Sequence, residues 1–203
     1  MSLRTAQSGS LVRFANLSAA VPIDPLESMR ALAWPHSQLD EALRGVAQKL
    51  GTVLHVSDPS VQKPPALEAD GESFDRWLDR TVAWLNLESE SVAVCYKELE
   101  LLLRKGAPLL LRLPDVEGEE ARFLLVYRGG RQWISVLAED SKIHWVSKQQ
   151  LIRVLRHPVD RTLNAESREW LHKVSLSPQS RAGAEIGLFH EHLGNETLTG
   201  CWL

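Results

Sequence analysis

Two cysteines and seven histidines carry whatever nucleophile or metal chemistry is open to this chain. Cys95 lies between Val94 and Tyr96, the setting of a small buried hydrophobe rather than of an accessible thiolate beside a cation. A nucleophilic role would require the fold to bring a base to it, and His144 is the candidate. His190-Glu191-His192 is the densest set of metal-ligating side chains. Imidazoles two apart leave a helix on different sides, however, whereas helical zinc ligands are spaced four apart, so these histidines read as solvated. No metal and no cofactor is expected. No Gly-x-x-x-x-Gly-Lys-Ser/Thr loop is present to cradle phosphates, and no Gly-x-Ser-x-Gly elbow to expose a serine. Arg122, Arg128, Arg131 and Lys142 gather basic charge around one hairpin, either as a binding face or as the solvated charges that discourage edge pairing.

The elements that must position these residues follow from pattern. The 203 residues are 44% hydrophobic and 24% charged, enough for one domain with a real core. With 23 basic against 26 acidic residues the net charge is -3, and no block of one sign points to nucleic acid. Two cysteines are too few for a disulfide framework, which fits a reducing cytoplasm. The polar opening Met1 to Ser10 is no secretory signal, and the best apolar run, Pro108 to Leu113, is broken by Arg112. The chain is therefore expected to be soluble. Its apolar end, with Leu198, Cys201, Trp202 and Leu203, predicts a piece of something longer.

Helical spacing predicts a short helix over Pro25–Ala33, then one over Leu39–Leu50 with Ser37 as N-cap and Gly51 as terminator. Prolines at 59, 64 and 65 predict a loop over residues 52–71. Phe74, Trp77, Leu78, Val82 and Leu85 form the stripe of the next helix, ended by Asn86. A strand over Val92–Tyr96 follows, then a helix with Leu99, Leu102 and Leu103, stopped by Gly106 in a left-handed cap. Leu109–Leu113 reads as a buried strand. Arg122–Arg128 and Arg131–Leu137 read as a hairpin around Gly129-Gly130, whose two-residue turn would set Val126 opposite Trp133, Leu124 opposite Ser135 and Arg122 opposite Leu137. A third strand, Lys142–Val146, leads into a helix capped by Ser147 and Gln150 and ended by Pro158. Shorter helices are expected from Asn164 and over Ala182–Leu193. Trp77, Trp84, Trp133, Trp145 and Trp170 fall in periodic apolar segments and are expected in the core. Strands joined by short turns give an α+β class with N-terminal helices packed on an antiparallel sheet. The expected divisions are a 1–24 extension, a 25–158 domain and a 159–203 helical linker.

From Thr81 to Arg156 the order of segments resembles a known family. Ala83-Trp84-Leu85-Asn86-Leu87, Tyr96-Lys97-Glu98-Leu99, Gly106-Ala107-Pro108-Leu109-Leu110-Leu111, Arg122-Phe123-Leu124-Leu125-Val126-Tyr127 and Trp133-Ile134-Ser135-Val136-Leu137 carry the match. Together they resemble the papain-like cysteine peptidase domain that precedes the membrane domain of bacterial ABC exporters cleaving double-glycine leaders. That family needs a cysteine opening its first helix, a histidine opening the hairpin and an aspartate after the second hairpin strand. Here Leu26–Ala33 holds no cysteine, Arg122 stands at the histidine position, and Glu139 or Asp140 occupies the acidic one. A guanidinium stays protonated and cannot serve as the base. The resemblance thus implies a papain-like fold without catalytic residues, a noncatalytic exporter domain on the cytoplasmic side of the bacterial inner membrane. Its implied partners are a polypeptide or leader-peptide cargo and the transmembrane and ATP-binding domains beyond Leu203. Arg122 is expected to form an ion pair with Glu139 or Asp140. The competing readings are a stand-alone cytosolic enzyme with a relocated site and a regulatory domain unrelated to transport.

Overall fold

Leucine-rich runs such as Leu109-Leu110-Leu111 have no polar face to offer solvent, so both faces of the sheet they join must be covered. The computed structural model describes residues 24–52, 63–66, 71–159, 191 and 196–202. Its helices are α1 (Pro25–Arg30), α2 (Leu39–Leu50), α3 (Gly71–Trp84), α4 (Leu99–Lys105) and α5, which is described over 148–159. The strands are β1 (Trp34–Pro35), β2 (Ser91–Cys95), β3 (Leu109–Arg112), β4 (Arg122–Arg128), β5 (Trp133–Leu137), β6 (Ile143–Ser147) and β7 (Thr197–Trp202). They form one sheet in the order β2-β7-β3-β4-β5-β6, with β1 on β4 and every described pairing antiparallel.

Period-two alternation divides the core. Leu109, Leu111, Leu124, Val126, Ile134, Val136 and Cys201 face α1, α4 and α5. Leu110, Phe123, Leu125, Leu137 and Trp202 face α2 and α3. The chain is α+β as expected, with helices on both sides of an antiparallel sheet.

Several expectations need correction. β7 occupies part of the segment read as a helical linker, and it is an interior strand between β2 and β3. Cys201 and Trp202 are apolar because they belong to the two cores. The hairpin register also differs, for Val126 pairs with Val136 and Leu125 with Leu137. Trp133 pairs instead with Ser147 of β6. The cause is a bulge between Val126 and Arg128 and a connection of four residues, 129–132. Neither glycine there has the positive φ a tight turn would require. A Cβ on Gly129 would lie 2.5 Å from the Arg104 carbonyl oxygen, and one on Gly130 would lie 2.0 Å from that of Trp133, so close backbone approach selects both.

Helix ends differ in detail. Ser37 does not cap α2, whose N-cap is Gln38; the Ser37 amide donates to Glu120 Oε1 at 2.6 Å. Gly51 does end α2 in the left-handed region, at φ 77°, but Gly106 ends α4 at φ -88°. Pro158 does not stop α5, which is helical through residue 159. Trp133 and Trp145, expected in the core, are 55% and 64% exposed. The helices expected from Asn164 and over Ala182–Leu193, and Trp170, lie outside the described residues, Glu191 alone excepted.

Candidate functional site

α1 ends where β4 begins, because β1 pairs Trp34 with Phe123 and Pro35 with Arg122. β5 borders β4 only from Leu125 onward, so β1 takes the place β5 leaves. The buried Trp34 indole closes the junction by donating to the Leu137 carbonyl at 2.8 Å. Into this corner Arg122 sends Nη1, which donates to the Arg30 carbonyl at 3.1 Å and the Ala33 carbonyl at 3.0 Å. Those carbonyls lie at and just beyond the C-terminal end of α1, where a cation is favoured.

The same Nη1 lies 3.7 Å from Glu139 Oε2. That separation gives a charge pair beyond hydrogen-bond length, and with both side chains partly exposed it contributes only about 0–1 kcal/mol. Asp140 is not brought to Arg122. It accepts from the Lys142 amide at 3.0 Å and contacts His144 Nε2 at 3.1 Å. The Lys142 amide bond, and after it the His144 contact, hold its carboxyl below the ordinary range. The corner therefore uses Arg122 and Glu139, while Asp140 fixes the turn into β6.

Beside the corner opens a cleft of about 430 Å³, walled by Asp24, Glu27, Arg30, Glu119 and Arg122. Arg30 was not singled out by sequence reasoning, although it stands four residues after Leu26 on the helix face that packs inward. Only 6% exposed, it donates to the carbonyls of Pro114 at 3.0 Å and Glu120 at 3.1 Å and to Glu119 Oε2 at 2.8 Å. It thereby fixes the 114–121 loop that delivers Arg122. An arginine four positions from a leucine of an apolar stripe is the signal that could have found it.

Neither cysteine reaches this corner. Cys95 in β2 and His144 in β6 are separated by β7, β3, β4 and β5, a span of roughly 24 Å at the usual strand spacing. Burial raises the Cys201 thiol to about 12, so it is not a thiolate at neutral pH. His190 and His192 lie outside the described residues, among which no group of three metal-ligating side chains gathers. No described helix is long and apolar enough to cross a membrane.

His36 sits behind β4, its ring centroid 5.8 Å from that of Phe74 and 6.0 Å from that of Phe123, with Nε2 buried and unpartnered. Burial lowers its pKa below the ordinary 6.5; Glu120 opposes the shift and Arg112 adds to it. The unfolded chain then takes up the proton first as pH falls. Stability from this group is therefore intact above about pH 6.5 and declines as pH falls through that value toward the lower folded one. Denaturant midpoints at about pH 7.5 and about pH 5.5 should differ more for the native chain than for His36→Phe, which keeps an apolar ring in place. Equal differences would remove His36 as a source of acid sensitivity.

No protein-family model, no curated protein and no solved structure matches the chain.

Proposed function

We propose that this chain is a noncatalytic, papain-like peptidase domain of an ABC exporter, which docks a polypeptide cargo or regulates transport at the cytoplasmic side of the membrane. The observation that carries the reading is Arg122, tied to the carbonyls of Arg30 and Ala33 and set beside Glu139. In the family it resembles, this corner brings together a thiol, an imidazole and a carboxylate. Here a permanent cation replaces the group that would exchange a proton, and no cysteine opens α1. What remains is a shaped, charged cleft suited to holding a chain. Its partners in this reading are a leader-bearing or unfolded polypeptide and the membrane-spanning and ATP-binding parts of the exporter.

The purified chain should leave a double-glycine leader peptide uncut, and cleavage abolished by Cys95→Ser would overturn the noncatalytic assignment. Arg122→Ala should weaken binding of the same peptide several-fold with the far-UV spectrum unchanged; losing its two carbonyl bonds should lower the thermal midpoint, so affinities are compared at a temperature where both chains are folded. Unchanged affinity would take this corner out of the docking surface.

A further inference from the structure

Among the described residues, β6 is an edge strand whose outer backbone is unpaired and one of whose side-chain faces is partly exposed. Ala138 N–H donates to the Lys142 carbonyl, and Lys148 N–H donates to the Gln132 carbonyl. Both bonds continue the register in which Val136 opposes His144 and Ile134 opposes Val146. In an antiparallel ladder, alternate residues exchange bonds with one neighbour and turn outward to the other. His144 and Val146 therefore bond inward to β5, while among the described residues Ile143 and Trp145 present N–H and C=O at the free edge and Ser147 presents its N–H, its C=O opening α5. Among the described residues no strand pairs with that edge.

Native edges are usually blunted by a bulge, a proline or a lysine. The other edge strand, β2, does show such an irregularity, between Val92 and Val94. β6 keeps an unbroken register with β5 and contains no proline, and the lysines that flank it are both paired, Lys142 with Asp140 at 3.6 Å and Lys148 with Glu100 at 2.6 Å. Its outward residues also carry the exposed apolar surface: Trp145 at 64% and Ile143 at 39%, next to Trp133 at 55% on β5. All three share the sheet face of Leu137, because Trp133 opposes Ser147 and Ile143 opposes Leu137. α2 covers only the inner part of that face. A Cβ on Gly45 would lie 3.1 Å from Leu137 Cδ2, and the Tyr127 hydroxyl donates to the Lys49 carbonyl, which places the end of the helix over β4.

We infer that the free edge of β6 is a docking strand for an extended polypeptide segment, apolar at alternate positions and acidic toward the end that lies beside Arg131. Unmet backbone donors and acceptors at every second residue select a partner with the same groups at the same spacing, which an extended chain has and a helix has not. The acidic preference is confined to one end: Arg128 and Arg131, exposed at the β4–β5 hairpin, stand toward the Ser147 end of the edge, whereas Glu139 and Asp140 flank the Ile143 end. Two part-exposed tryptophans and an isoleucine offer roughly 300 Å². A stable pair of protein chains buries about 800 Å² on each side, so the surface suits a short strand better than a second copy of this chain. This contact is separate from the Arg122 corner and stands without the exporter reading.

The test uses the full chain and a fluorescein-labelled peptide of about eight residues, valine and threonine alternating with glutamates at one end only, the length and pattern of an ordinary strand. At saturation, amide exchange followed by NMR should slow at least about tenfold at Ile143, Trp145 and Ser147, and little at His144 and Val146, which are already bonded inward. Uniform or absent protection along β6 overturns the inference. Ile143→Pro removes an outward donor without touching the β5 ladder and should weaken the peptide about tenfold, against less than about threefold for Ile143→Ala. Equal losses would reduce the site to an apolar patch and overturn strand addition. Should Ile143→Pro not fold, the alternation of exchange in the native chain decides alone. A concentration-dependent dimer in sedimentation that the peptide cannot displace would give the edge to a second copy and overturn the polypeptide assignment. Failure of this probe leaves the leader-peptide measurement on Arg122→Ala untouched, since the two use different peptides and different residues.

Discussion

Phe123→Ala should lower the free energy of unfolding by about 3–5 kcal/mol, seen as a fall in denaturant midpoint with little change in slope. Phe123 is wholly buried and stacks on Phe74 with ring centroids 5.5 Å apart and an interplanar angle of 21°. Trp202 lies 6.1 Å and His36 6.0 Å from the same ring. Those partners come from α3, from β7 and from the turn after β1, so one side chain joins segments distant in sequence. Losing it opens a cavity that aromatic neighbours, themselves pinned, cannot close. The Trp202 indole donates to Asp75 Oδ1 at 2.9 Å, and Phe74 packs edge-on against Trp202 at 5.2 Å. Relaxation is therefore limited, and the cost should sit in the upper part of the usual range for such truncations. Leu101→Ala, half exposed on α4, should stay within about 0.5 kcal/mol and serves as the control. A cost for Phe123→Ala below about 1.5 kcal/mol would mean that the ring cluster is not the tightly packed centre described here.

Those same residues show what sequence can and cannot reveal. Phe123 and Leu125 on one face, with Leu124 and Val126 on the other, announce a strand buried on both sides. The stripes of α2 and α3 and the left-handed Gly51 are equally local and equally legible. Register is not local. Two adjacent glycines signal a tight turn, but they serve close backbone approach to α4 and to Trp133, and the bulge at Tyr127 moves each partner along the strand. β7 reaches β3 across about ninety residues of sequence and β2 across more than a hundred, pairings that no periodicity encodes. Trp133 and Trp145 mark the same limit from another side, since alternation tells which residues share a sheet face and not how far a helix covers it. At the corner, sequence pointed to Arg122 and its acidic neighbours through resemblance alone. Between Glu139 and Asp140 the choice fell to the 138–144 turn, where the Lys142 amide and His144 claim Asp140.

Arg30→Ala should cost about 2–4 kcal/mol, most of it through the loop between β3 and β4 rather than through charge. The Glu119 carboxylate that pairs with Arg30 is 57% exposed, so their attraction is screened and Glu119→Gln should cost less than about 0.5 kcal/mol. The carbonyls of Pro114 and Glu120 count for more, because the guanidinium reaches both while the residue is only 6% exposed. Each such bond contributes about 1–3 kcal/mol when its partner is charged. Against them stands Arg30 Nε, buried without a partner, which reduces what the side chain contributes. Arg30→Met keeps the stem volume and removes that unmet donor, so it should be about 1 kcal/mol less harmful than Arg30→Ala. Equal losses in the two variants would assign the effect to the carbonyl bonds alone; a neutral Arg30→Met would assign it to packing alone. Either way the 114–121 segment decides where the damage falls. Its remaining side-chain tie to the first helices, Glu120 Oε1 accepting from the Ser37 amide at 2.6 Å, holds only the far end of the loop. Freed at Pro114 and Glu119, the segment should exchange its amides faster and admit protease before the sheet unfolds, and Arg122, which follows directly, should lose its fixed place against α1.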